Sequence, residues 1–129
     1  MYGFTTSFDG DFYFALERLS EELSKEGFEI YGDLDLQQSL NKKSESKMSA
    51  YRLLSVYHAY YAEQVIAFDP TTGTLLPNQI VVWENRDNDV MIAFADPRQS
   101  LGLALHPSML IIAESLRKKL QRVCDNLVD

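Results

Sequence analysis

The side chains with the greatest chemical potential are concentrated in "YRLLSVYHAYYAEQ", Tyr51 to Gln64, which holds four of the seven tyrosines and one of the two histidines. An imidazole that titrates near neutrality is the usual general acid or base, and neighbouring phenol hydroxyls supply donors and acceptors. His58 falls where an expected strand passes into an expected helix, a position from which side chains can point into a cleft, with Tyr57, Tyr60 and Tyr61 beside it. One reading is a ligand contact made by Tyr57, His58 and Tyr61. The other is proton transfer at His58. A third is structural, because a histidine at an element boundary often satisfies a backbone group or faces water, and it predicts no pocket here.

Other polar residues carry less. His106, Pro107 and Ser108 invite a Ser–His reading, but residues this close in sequence rarely reach nucleophile–base geometry, and no Gly-x-Ser-x-Gly elbow is present. They read as packing at a helix start. Asp33, Asp35 and the acidic "ENRDND" turn lack the fixed offsets of a calcium loop. Two histidines and one cysteine without Cys-x-x-Cys make a zinc site improbable, so no metal and no cofactor is expected. Cys124 cannot form an intramolecular bridge, which fits a reducing cytoplasm, and it reads as a small buried filler.

Charge narrows the partners. The net charge is −7, opposite to what a phosphate backbone or an anionic bilayer attracts, so no nucleic acid and no membrane is expected. Basic residues form two groups: Lys42, Lys43, Lys47 and Arg52, then Arg117, Lys118, Lys119 and Arg122. Glu45 interrupts the first, and the second complements the carbonyl end of a last helix. The start "MYGFTTSFDG" has no basic residue and no apolar run of signal-peptide length, and "LGLALHPSMLIIA" is too short and too interrupted to span a bilayer. No glycine-rich phosphate loop follows a strand.

The elements that must position these residues follow from periodicity. "YGFTTSF" reads as a strand closed by "DGD", after which Asp9 or Asp11 caps a helix with Phe12, Leu16, Leu19 and Leu23 on one face and Gly27 at its end. Phe28, Ile30, Leu34 and Leu36 alternate with polar residues in a second strand, and Asp35 with Gln38 resembles a capping box for a short helix from Leu36 to about Asn41. "NKKSESKMSA" reads as an exposed connector. "YRLLSVY" is a third strand with both faces covered, and Ala59 to Phe68 a helix presenting Ala62, Val65, Ile66 and Phe68, stopped by Asp69–Pro70. "TTGTLLPN" is a turn. "QIVVWE" and "DVMIAFA" are strands of a hairpin around "NRDN", on which Trp83, like Tyr31 in the second strand, reads as sheet packing. Pro97 to Gly102 is irregular, and Pro107 opens the last helix.

That helix carries an apolar stripe of Met109, Ala113, Leu116, Leu120, Val123 and Leu127. About 20 residues span roughly 30 Å, against about 17–20 Å for a strand. Unless it crosses diagonally it overhangs the sheet, and an overhanging Val123 and Leu127 want a second copy of the chain. The result is one α+β domain over residues 1–129, a mixed, largely antiparallel sheet of about five strands with helices mainly on one face.

The order of elements, with "FDGDFYFALERLSEELSKEGFEI", "YRLLSVYHAYYA", "LLPNQIVVWE" and "ADPRQSLGLALHPSMLIIAESLRKKLQRV", resembles the family catalogued as domain of unknown function 302, small bacterial and archaeal proteins. The family pattern carries Cys-Asn-Pro where this chain has Tyr57-His58-Ala59. It carries Leu-Leu-Pro-Cys-Asn where this chain has Asn78-Gln79 after Pro77. Both thiols are absent, so thiol redox or metal work by them falls away. The resemblance implies that Asn78 comes beside His58, adding a neutral donor and acceptor, and it supplies fold more than function. The sequence thus points to a non-catalytic, homodimeric, cytoplasmic module binding a small molecule or protein partner through Tyr57, His58, Tyr61 and Asn78, with proton transfer at His58 and its tyrosines as the alternative.

Overall fold

In the computed structural model, which describes residues 3–43, 48–76 and 78–128, the runs rich in β-branched and aromatic residues become strands β1 (Gly3–Phe8), β2 (Phe28–Asp35), β3 (Tyr51–His58), β4 (Asn78–Glu84) and β5 (Val90–Ala95). The runs with three- and four-residue apolar steps become helices α1 (Phe12–Lys25), α2 (Leu36–Lys43), α3 (Ala59–Phe68) and α5 (Pro107–Leu127). A short α4 (Pro97–Leu101) replaces the irregular piece, because Asp96 caps it and Pro97 suits its first position. The turn after Asp69 is wound as a 3₁₀ segment, Pro70–Leu75. Tyr2, Lys47 and Pro77, and the centre of the connector, lie outside the described residues.

The strands form one sheet in the order β1-β5-β4-β3-β2, antiparallel at every pairing. The expected α+β class holds, and the sheet is antiparallel throughout rather than mixed. Because β1 and β2 occupy opposite edges, the helix joining them must cross the sheet. Phe12, Ala15, Leu19 and Leu23 of α1 are buried on that crossing. Leu54, Val56, Ile80, Val82, Ile92 and Phe94 meet the helices from the strands.

Local chemistry sets the ends. Asp11, not Asp9, caps α1 by accepting from the Phe14 N–H at 2.8 Å. Gly27 follows the helix with φ +89°, in the left-handed region where only glycine is unstrained. Asp35 caps α2 through the Gln38 N–H at 2.9 Å.

Two expectations give way. A bulge at Tyr31 shifts the β2–β3 register between Ile30 and Gly32. One extra residue moves every later side chain to the other face, so Leu34, expected in the core, is 44% exposed. Second, α5 does not overhang: Val123 is 0% exposed and Leu127 3%. The cause is α1, which lies antiparallel along the second half of α5. Arg18 donates to the Asn126 carbonyl at 3.2 Å, and Arg122 pairs with Glu26 at 2.8 Å. The stripe is consumed inside the chain. Of the α3 face, only Val65 is buried, and Ile66 and Phe68 stay exposed.

The arginines of the two basic groups are engaged by other side chains, while Lys42 and Lys43 lie in the last turn of α2. Arg52 pairs with Asp33 at 3.0 Å and Asp35 at 3.7 Å, and the Arg117 guanidinium lies 4.1 Å from the centre of the Phe4 ring. The last turn of α5 carries no basic residue.

Candidate functional site

His58 occupies the junction of β3 and α3, with extended backbone and no side-chain cap to the helix. Its ring turns back to the end of α1, where Nε2 lies 3.0 Å from the Glu26 carbonyl. A carbonyl only accepts, so Nε2 carries the proton and Nδ1 is bare in the neutral ring. Nδ1 is buried and has no hydrogen-bond partner among the described residues. The ring packs edge-on to Phe28, centroids 5.2 Å apart, and tilted against Tyr61 at 4.9 Å. Gly27 is part of the same fit, since a Cβ there would stand 2.5 Å from Nε2. Burial, reinforced by the charge of Lys119, holds the His58 pKa below its ordinary value and keeps the ring neutral at pH 7.

Asn78 is buried, and its Nδ2 donates to the Ala95 carbonyl at 3.0 Å, tying the start of β4 to the end of β5. His58, Tyr61 and Asn78 are brought together around a cavity of about 10 Å³, also bounded by Phe28, Leu76 and Leu116. That volume has room for about one water molecule, not a substrate. Tyr57 borders the cavity, but its hydroxyl lies elsewhere, donating to Glu29 Oε2 at 2.6 Å. That bond, with the negative charge behind it, raises the Tyr57 pKa above its usual value.

A larger hollow, about 360 Å³, opens on the outer side of the bend between Tyr31, Tyr57, Ala62, Ile66, Gly73 and Leu76. The bulge creates it by re-aiming Tyr31, 57% exposed, toward Tyr57, with ring centroids 5.6 Å apart and planes at 65°. Tyr31, Ile66 and Leu76 were not foreseen as site residues. The available signal was Gly32 inside a strand, which marks a bulge as often as a weak point.

The remaining candidates resolve into structure. His106 Nδ1 accepts the Ser108 N–H at 3.1 Å and its ring lies tilted against Phe68 at 4.4 Å, so it starts α5 and does not activate the Ser108 hydroxyl. Trp83 packs against Tyr51, ring centroids 6.4 Å apart. Burial raises the pKa of the Cys124 thiol, as befits an inert filler. Among the described residues, no three His, Cys, Asp or Glu side chains gather as a metal site, and no helix is long and apolar enough to cross a membrane.

An antiparallel five-stranded sheet backed by helices, with its aromatic bend partly committed to packing, defines a small two-layer α+β domain. The family model described as domain of unknown function DUF302 matches residues 4–127, and the chain belongs to that family. The fold is similar to that of an uncharacterised conserved DUF302 protein from Bacillus stearothermophilus. The TM-score is 0.91 at 24% identity, over 98% of each chain. No curated protein matches the chain.

Proposed function

We propose that this bacterial-type domain is a non-catalytic, homodimeric binding module of the cytoplasm, and that its ligand is a small molecule held at the tyrosine-rich bend. The observation that carries the reading is the 360 Å³ hollow beside Tyr31 and Tyr57, a volume within the range of about 300–1,000 Å³ usual for small-molecule sites. Its floor is apolar, from Ala62, Ile66 and Leu76, and its rim offers tyrosine rings for stacking. Glu29 at the Tyr57 hydroxyl and a net charge of −7 favour uncharged or cationic molecules over anions. His58, Tyr61 and Asn78 act behind this surface, fixing the turn from β3 into α3.

The bare Nδ1 of His58 supports proton transfer as a second reading, and the size of the cavity it faces weighs against it. The two separate in one titration series. Uncharged and cationic aromatic fragments, added to ¹⁵N-labelled protein, are expected to shift the amides of Tyr31, Tyr57, Ile66 and Gly73, and Ala62→Phe, which fills the floor, is expected to remove the response. Shifts confined to other surfaces would end the binding reading at this site. A fragment converted by the protein, with conversion lost in His58→Phe, would replace it with the enzymatic one.

A further inference from the structure

Helices α1 and α5 cover only one face of the sheet. Cross-strand partners share a face, so the pairings Thr5–Ala93, Ala93–Val81, Val81–Leu53 and Trp83–Met91 place those side chains together on the other. Strands β1, β5, β4 and β3 contribute no charged side chain to this face. Glu29, on the edge strand β2, is its single charge among the described strand residues. In a chain with 24% charged residues, that depletion marks the composition of an interface core rather than of a solvated sheet. The polar pair at its centre is mutually satisfied, since the Ser55 hydroxyl donates to Gln79 Oε1 at 3.2 Å.

We infer that this face is where two copies of the chain meet, sheet on sheet, about a two-fold axis. The inference rests on the homodimer reading above and adds the surface and its fit. Three observations select a second copy as the occupant. The first is electrostatic: two bodies each carrying −7 repel, and an uncharged face is where they can approach most closely. The second is size. Five strands about 4.8 Å apart and 20–25 Å long give roughly 500–600 Å² in plan, so two copies bury roughly 1,000–1,200 Å² before side-chain relief, which reaches the ~1,000 Å² of a specific interface.

The third is shape. Small residues at Gly3, Ala93 and Ala95 leave a hollow of about 460 Å³ in this face, lined by strand residues alone. Trp83 stands one cross-strand row beyond Val81 and Ala93, beside its partners Met91 and Tyr51, and Tyr51 reaches the rim of the hollow. A two-fold axis near Val81 and Ala93 exchanges the rows on either side, so the indole of each copy enters the hollow of the other, as an isologous contact requires. Apolar sheets packed this way lie about 10 Å apart.

The test uses the whole chain and its single tryptophan. Light scattering after size exclusion is expected to report about twice 14.8 kDa for the wild type. Ala93→Lys and Val81→Lys, each with unchanged far-UV circular dichroism, are expected to report the monomer mass. A wild-type monomer at micromolar concentration sinks both this inference and the homodimer reading. A dimer that survives in both folded variants sinks only the inference, and places the contact on another surface such as the free edge of β1. Should the lysine variants not fold, dilution of the wild type decides: Trp83 emission must shift to the red, and its quenching by acrylamide must rise, as the dimer dissociates. Emission unchanged through dissociation overturns the inference.

Discussion

Replacing His58 separates a packing role from a chemical one, because alanine and phenylalanine remove different things. Alanine loses the Nε2–H bond to the Glu26 carbonyl, about 1 kcal/mol net for an ordinary hydrogen bond. It also loses two ring contacts, to Phe28 and Tyr61, about 0.5–1.5 kcal/mol each. Against these stands relief of the buried, unpartnered Nδ1, roughly 1 kcal/mol or more. The net expectation is a loss of about 1–3 kcal/mol for His58→Ala. Phenylalanine keeps the ring contacts, loses the hydrogen bond and removes the bare nitrogen, so His58→Phe is expected within about 1 kcal/mol of wild type.

The pH dependence is the sharper half of this prediction. The folded pKa of His58 lies below the ordinary value of 6.5, chiefly through burial and then through Lys119. Between the two values the unfolded chain binds the extra proton, so stability falls as pH drops below about 6.5 and levels off beneath the folded pKa, with a slope of at most about 1.4 kcal/mol per pH unit. Urea unfolding followed by circular dichroism at pH 8 and pH 5.5 reads both halves. His58→Phe is expected to lose the part of the acid sensitivity that lies in this window. If His58→Ala is as stable as wild type at pH 8, or His58→Phe keeps the full slope, the packing account of this histidine is wrong.

Two further perturbations test its surroundings. Gly27→Ala forces a side chain at φ +89° and puts Cβ 2.5 Å from the His58 ring, so it is expected to cost about 1–2 kcal/mol for the backbone alone. Its cost should be smaller in a His58→Ala background, a coupling that a double-mutant cycle measures. Asp96→Ala removes a cap from α4 and the buried carboxylate facing Arg98 and Arg117, with an expected loss of about 1–3 kcal/mol in urea unfolding at neutral pH. Burial alone would raise the Asp96 pKa, but hydrogen bonds and charge from Arg98, with Arg117 behind, hold it below the usual carboxylate value. Its contribution is therefore present above about pH 4 and lost as pH falls through the folded pKa, and a mutant deficit that persists unchanged at pH 2 would contradict the assignment.

Most of the fold was legible because its elements are locally consistent. The stripe of α5 and its start at Pro107, the cap at Asp35, the glycine after α1 and the β4–β5 hairpin each carry their own period or turn chemistry, and each formed. What was not legible depends on partners distant in the chain. Gly32 marks a weak point in β2 but does not say that β2 slips one place against β3, and that slip exposes Leu34 and re-aims Tyr31 at the outer hollow. Nothing near Val123 announces that α1 returns to cover it. The bend itself was found by composition, but its division was not. Adjacent residues of a strand face opposite ways, so although Tyr57 borders the small cavity, its hydroxyl turns to Glu29 while the His58 ring turns back to Glu26.

With α1 packed along α5, the surplus apolar surface of the molecule lies on the sheet and not at a helix end. If α5 overhung its sheet, a partner would be needed at the helix end, and the open face of the sheet could remain an ordinary wetted surface. Because α1 and α5 satisfy each other, the apolar surface left uncovered by helices includes the face carrying Leu53, Val81, Trp83 and Met91, whose side chains are only partly buried by their neighbours. A sheet facing water usually alternates apolar with polar side chains. Here the alternation places apolar groups on both sides at β3, β4 and β5, the pattern of a sheet covered twice, and a single chain with its helices on one face supplies only one cover.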